Sequence, residues 1–131
     1  MGKRSTARRL AMQAIYQSEI SGIDIDRSLE NLFEGDVTED AKKFATHLAR
    51  GVQANKATLD KKVAELSKNW SIDRISIINM SIIKLALYEL TYEKDTPRPV
   101  IINEALLLAK RYSDEESAKF INGILGSAVV K

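Results

Sequence analysis

The side chains of this 131-residue chain that are best suited to chemistry are basic ones near its start. Arg4 and Arg8 are four residues apart, so on a helix they project from one face, with Arg9 adjacent and Lys3 just before them. Guanidinium groups match phosphate oxygens with paired hydrogen bonds, and such contacts bind nucleic acid without choosing a sequence. The cluster favours a phosphate-binding surface, although charge alone leaves a solvated basic first turn equally open.

Three aromatic side chains could supply the base recognition that phosphate contacts lack. Single-stranded RNA is usually recognised through unstacked bases that lie against aromatic or guanidinium planes. Tyr16, Tyr112 and Phe120 are candidates for this role. Each also has a purely structural interpretation, because the two tyrosines could close the edge of the core and Phe120 could be buried.

Signatures of catalysis and of metal binding are weak. His47 is the single histidine and cysteine is absent, so no set of ligands occurs at metal-binding spacing. The six glycines form neither a phosphate-binding loop nor a dinucleotide-binding motif, and no GxSxG sequence marks a serine nucleophile. We therefore expect a protein that is not an enzyme and that needs no cofactor or metal.

The composition is that of an ordinary globular domain. Apolar residues make up 44% of the chain and charged ones 29%, which suits a single domain with a real core and no disulfides. Uncharged stretches are far shorter than the roughly 20 residues of a membrane span, and the lack of cysteine fits a reducing cytoplasm. The net charge is only +2, but bases dominate residues 1–20 and acids dominate residues 24–40, so a polyanion could bind locally.

Apolar residues recur with helical periodicity through the first half of the chain and predict four helices. The first runs from Ser5 to Ile20 and stops at Gly22, and a short second helix is capped by Asp26. The third is capped by Thr38 and buries Phe44 among other residues. The fourth spans about residues 55–68.

The second half also has helical periodicity and predicts two or three helices. Residues 75–92 are apolar almost all round, which indicates a helix buried in the middle of a domain, although its β-branched start could be a strand. We expect this helix to be broken near residues 79–81. Prolines at 97 and 99 predict the next helix start, and Ser113 with Glu116 forms a capping-box pattern for the last helix.

Several sequence patterns in the chain resemble those of the NusB family of transcription antitermination factors. Their order and spacing agree with the family over essentially the whole chain, and those of the C-terminal third are the most specific. The matching segments are AMQAIY at 11–16, LALYEL at 85–90, PVIINEA at 99–105, AKRY at 109–112 and SAKFINGIL at 117–125.

This resemblance implies an all-α, RNA-binding domain of two packed helical bundles, about 1–69 and 70–131, with the boundary near Trp70. It also implies a role in transcription regulation. Members pair with the ribosomal protein NusE, bind the single-stranded boxA RNA of ribosomal RNA leaders, and help RNA polymerase pass terminators.

Carried over by position, the resemblance also assigns site residues. It places RNA phosphates on Lys3, Arg4, Arg8 and Arg9, bases on Glu116, Lys119 and Phe120, and the protein partner on Tyr16 and Asn79. The family commonly has an acid at Asn79, so a charge pair with the partner would be lost or moved in this chain.

Two other functions remain open at this stage. One is a helical self-association module that forms a homodimer. The other is an RNA-binding accessory to a separate ribosomal-RNA methyltransferase chain, because this sequence contains no cofactor-binding α/β domain.

Overall fold

The computed structural model describes residues 3–68 and 75–129, and the side chains of Lys3 and Val129 fall outside that description. Within these ranges the regular structure is entirely helical, which confirms the predicted all-α fold. The seven helices are α1 (Lys3–Ser21), α2 (Ile25–Leu32), α3 (Glu39–Ala54), α4 (Lys56–Leu66), α5 (Ile77–Tyr92), α6 (Arg98–Tyr112) and α7 (Glu115–Val129). None of the helices described here is both long and apolar enough to cross a membrane.

The chain divides into two compact units, residues 1–54 and 55–131. Helix α4 therefore belongs with α5, α6 and α7, whereas the bundles that the family resemblance implies, about 1–69 and 70–131, place it with the first three helices. The predicted boundary near Trp70 lies outside the described residues.

The first unit is built from α1, α2 and α3, and α1 packs against both of the others. The buried stripe of α1 contains Ala7, Leu10, Ala11 and Ala14. These residues have the spacing that the helical periodicity predicted. The helix stops at Gly22, whose φ of 74° is a left-handed conformation that residues with a side chain rarely adopt.

Short polar side chains set the starts of α2 and α3. Thr38 Oγ1 accepts a hydrogen bond from the backbone N–H of Ala41 at 3.1 Å, which confirms the predicted cap of α3. The predicted cap of α2 was wrong by two residues. Asp24 Oδ2 accepts the bond from the backbone N–H of Asp26 at 3.1 Å, and Asp26 lies in the first turn with its carboxylate free to reach across to α3.

The second unit is organised around α5, which packs against α4, α6 and α7. All residues from Ser81 to Glu89 are buried, as expected for a helix that is apolar nearly all round. The predicted break near residues 79–81 was wrong. Ser76 Oγ accepts a hydrogen bond from the backbone N–H of Asn79 at 3.1 Å, so this segment is the capped first turn of an unbroken helix.

A tight corner joins α6 to α7. Pro99 lies in the first turn of α6, as predicted. The capping residue of α7 is Asp114 rather than Ser113, because Asp114 Oδ1 accepts the bond from the backbone N–H of Ser117 at 2.7 Å. Ser113 is instead the C-cap of α6, and its backbone N–H donates a hydrogen bond to the carbonyl oxygen of Ala109 at 2.8 Å.

Candidate nucleic-acid interface

Arg4 is an exposed side chain whose guanidinium lies on an aromatic ring. Its Cζ is 3.9 Å from the ring centroid of Phe44 on α3, a cation–π contact between two elements of the first unit. Within the described residues the structure shows no ion pair for Arg4. The ring covers one face of the guanidinium, so its N–H edges stay available for an anion.

Arg8 shares the face of Arg4, but that face is turned toward α3. Its Cζ is 5.6 Å from the centroid of the same Phe44 ring, and the residue is only 4% exposed. The phosphate contact of Arg8 stays a prediction, and in this structure the residue is almost fully covered. Arg9, one residue on, is half-buried, and the side chain of Lys3 lies outside the described residues.

The start of α7 presents polar residues at the surface of the second unit. Glu116 and Lys119 are exposed, and Phe120 is half-buried, so it is neither a full core residue nor an open stacking platform. Asp114 caps this first turn, and the resulting hydrogen bond lowers the pKa of its carboxyl group. The ionised cap fixes the turn from which Glu116 and Lys119 project.

The side-chain amide of Asn79 connects α5 to this turn. It is 7% exposed, and its Nδ2 donates a hydrogen bond to Ser117 Oγ at 2.9 Å. Ser113 Oγ donates to the same hydroxyl at 2.9 Å, while Asn79 Oδ1 has no hydrogen-bond partner among the residues that the structure describes. The partner contact through Asn79 stays a prediction, and in this structure the amide is buried and holds α7. Tyr16, the other predicted partner residue, is half-buried on α1.

Sequence reasoning missed a cluster on α3. Phe44 was expected in the core, yet it is half-buried and carries Arg4 on its ring. His47 is exposed and stacks on Phe44 with ring centroids 6.4 Å apart and an interplanar angle of 23°. The signal in the sequence was an aromatic residue followed three positions later by histidine, next to Lys43. No group of three potential metal ligands occurs in the described part of the chain.

Tyr112 is also partly covered, by the residue before it. The Cζ of Arg111 lies 5.4 Å from its ring centroid, and the tyrosine is half-buried at the end of α6. The exposed guanidinium of Arg111, more than the ring, is the plane that this pair offers to solvent.

Ion pairs neutralise several other cations, and this separates them from the candidate site. Arg50 donates to both carboxylate oxygens of Asp26, from Nε at 2.8 Å and from Nη2 at 3.1 Å, and this hydrogen bonding lowers the pKa of Asp26 and raises that of Arg50. Lys84, buried on α5, lies with its Nζ 3.1 Å from Asp60 Oδ1. Arg4 has no such carboxylate partner among the described residues and keeps its charge for a ligand.

Comparison with known proteins gives one consistent result. The model of the NusB family matches residues 5–129. The transcription antitermination protein NusB of Clostridium botulinum (strain Loch Maree / Type A3) is 37% identical, over 96% of this chain and 99% of the relative. The solved structure of T. maritima NusB is 34% identical with a TM-score of 0.91, covering 98% of this chain and 91% of that one. A crystal structure of the antitermination factors NusB and NusE in complex with dsRNA has the same fold, with a TM-score of 0.88 at 24% identity, over 95% of this chain and 94% of that one.

Proposed function

The chain belongs to the NusB family, and from this premise we propose that it is a transcription antitermination factor. It binds the boxA-type single-stranded RNA of ribosomal RNA leaders together with the ribosomal protein NusE. In this role it supports the passage of RNA polymerase through terminators. It acts by binding in the cytoplasm, and we assign it no catalytic residue and no cofactor.

The observation that carries this proposal is the family match across residues 5–129, together with a relative at 37% identity that is covered along 99% of its length. The match is not confined to one motif, so the whole domain is shared and not just a fragment of it. A neighbour of the same fold was solved in complex with NusE and dsRNA, which supports NusE and RNA as classes of partner, whereas the single strand proposed here comes from the family resemblance.

In the first unit, RNA phosphates bind Arg4 and Arg9, and the position of Lys3 adds it to the same set. Arg8 supports this surface from below, since it is buried beside the Phe44 ring. Tyr16, half-buried on α1, contributes to the NusE contact.

In the second unit, RNA bases meet the first turns of α7. Lys119 and Glu116 are exposed there, and the half-buried edge of Phe120 lies beside them. Asn79 has a positioning role, because its amide holds the Ser117 hydroxyl in the same turn.

The test is a fluorescence-anisotropy titration of a labelled boxA RNA and a scrambled RNA of equal length, with and without NusE, at several salt concentrations. Arg4→Ala should weaken binding of both RNAs and lower the slope of log K against log salt by about 0.7, the value for one phosphate contact on a single strand. Phe120→Ala should also reduce the preference for boxA.

Arg27→Ala is the matched control, because Arg27 is an exposed arginine of the first unit that lies on the acidic α2. Its binding curves should overlay those of the wild type. Equal affinity of the wild type for boxA and scrambled RNA, in both the presence and the absence of NusE, would contradict the proposal.

A further inference from the structure

Four side chains of the first unit form a contiguous surface on α1 and α3, here called the Phe44 patch: Arg4, Lys43, Phe44 and His47. Arg4 lies on the Phe44 ring at 3.9 Å, and His47 stacks on the same ring with centroids 6.4 Å apart. Lys43 precedes Phe44 in the chain and lies four residues before His47, so Lys43 and His47 project from one face of α3. Arg4, Lys43 and His47 are all exposed.

Arg4 and Lys43, the arginine and the lysine of the Phe44 patch, differ in their ion pairing from two other cations on α3. Arg50 is bound to Asp26, and Lys42 Nζ lies 3.6 Å from Glu39 Oε1. For Lys43 and Arg4 the structure shows no ion pair with any described residue. A phosphate that meets this pair therefore encounters two charges that no carboxylate of the described residues has already neutralised.

The aromatic centre of the patch prepares these groups for a ligand. The cation–π contact holds the Arg4 guanidinium against a fixed plane, so less conformational freedom is lost when its N–H groups bind a phosphate. The imidazole of His47 is a second plane, held in place by its stacking on Phe44. Cations beside a fixed aromatic or imidazole plane are the combination on which single-stranded nucleic acids bind, with phosphates on the charges and bases on the rings.

We infer that the RNA-binding surface of the first unit continues from α1 onto α3, where the Phe44 patch binds one nucleotide of single-stranded RNA. Arg4 and Lys43 bind the phosphates on either side of this nucleotide, and its base stacks on His47. This inference rests on the proposed function, and it adds two residues, Lys43 and His47, that the family patterns in the sequence do not include.

The experiment extends the anisotropy titration to Lys43→Ala, His47→Ala and His47→Tyr in the full-length protein. Lys43→Ala should weaken binding about fivefold at 0.1 M salt and lower the salt slope by about 0.7. His47→Ala should weaken binding about fivefold or more with an unchanged slope, since it removes a stacking plane and no phosphate contact. His47→Tyr should keep the RNA affinity near that of the wild type, because the tyrosine ring also offers a flat surface on which a base can stack.

Lys61→Ala is the control, an exposed lysine on α4 in the other unit. Wild-type affinity for Lys43→Ala and His47→Ala, alongside weakened binding for Arg4→Ala, would overturn the inference and leave the proposed function standing. If the wild type binds no single-stranded RNA with or without NusE, the inference about the Phe44 patch and the proposed function both fail. A loss in His47→Tyr as large as in His47→Ala would also overturn the stacking role.

Discussion

Replacing Asp60 with alanine should destabilise the second unit more than the loss of a surface ion pair would. The side chain of Lys84 is only 4% exposed, and its Nζ lies 3.1 Å from Asp60 Oδ1. Asp60, whose side chain is 44% exposed, also binds Lys56 Nζ at 3.0 Å through its other oxygen. The carboxylate is therefore the bridge through which a buried ammonium group on α5 reaches the protein surface.

The two ion pairs of Asp60, with Lys56 and with Lys84, should contribute unequally to the free energy of unfolding. The pair with Lys56 is an exposed contact four residues apart on one helix and contributes about 0.5 kcal/mol or less. Removing the partner of a fully buried charge costs about 3–5 kcal/mol. Because Asp60 is open to water on one side and Lys84 keeps a further interaction, we take roughly half of that value and expect a total loss of about 2 kcal/mol, or a fall in Tm of roughly 6–10 °C.

Thermal and urea denaturation followed by circular dichroism at 222 nm would measure this loss. The double variant Asp60→Ala/Lys84→Met should regain much of the lost stability, since it also removes the buried ammonium group of Lys84. The control is Asp26→Ala, which breaks an exposed pair with Arg50 and should change stability far less. A single variant as stable as the wild type, or a double variant no better than Asp60→Ala, would refute the reasoning.

The pH dependence gives the same experiment a second readout. Burial raises the pKa of Asp60, but hydrogen bonds from Lys56 and Lys84 outweigh it, so the pKa lies below its ordinary value. A carboxyl group whose pKa is lowered by folding stabilises the protein above its unfolded pKa, and this contribution disappears as the pH falls through the folded pKa. The difference between wild type and Asp60→Ala should therefore shrink below about pH 4.

Three further substitutions test other parts of the structure by urea denaturation. Ser117→Ala should cost about 1–3 kcal/mol, because it leaves the buried amide of Asn79 without its hydrogen bond; an unchanged midpoint would contradict this. Gly35→Ala should cost about 1 kcal/mol, since Gly35 has a φ of 88°. Gly123→Ala should instead stabilise by up to about 1 kcal/mol, because an added methyl group on this exposed helical residue meets no atom within 4 Å; a loss there would mean that the glycine serves close packing.

Features that depend on neighbouring residues were predictable from the sequence. The stripe of α1, the Thr38 cap and the proline at the start of α6 follow from spacing and from local hydrogen bonding. The caps of α2 and α7 were misassigned where several candidate side chains lie within two residues of each other. Gly123 and Gly126 do not mark a close helix contact, since added methyl groups would meet open space there.

The candidate site was less predictable, because it depends on which helix lies across which. Arg8 has the same spacing and charge that make Arg4 a surface residue, yet the approach of α3 buries it. Asn79 occupies the first turn of α5, and only the position of Ser117 on α7 shows that its amide is a structural tie. Phe44 fits the apolar stripe of α3, and its use as a support for Arg4 appears only when α1 is in place.

The burial of α5 has a consequence for the order in which the protein is made. Its residues from Ser81 to Glu89 are buried in the finished unit, against helices that include α6 and α7, both of which follow it in the chain. A ribosome must add the 37 residues from Glu93 to Val129 before that cover is complete. At typical rates of synthesis this takes about 2–7 seconds, during which α5 has only α4 of its three packing partners. The first unit, whose three helices are already made, can fold within that interval, while the apolar surface of α5 that α6 and α7 will cover stays open.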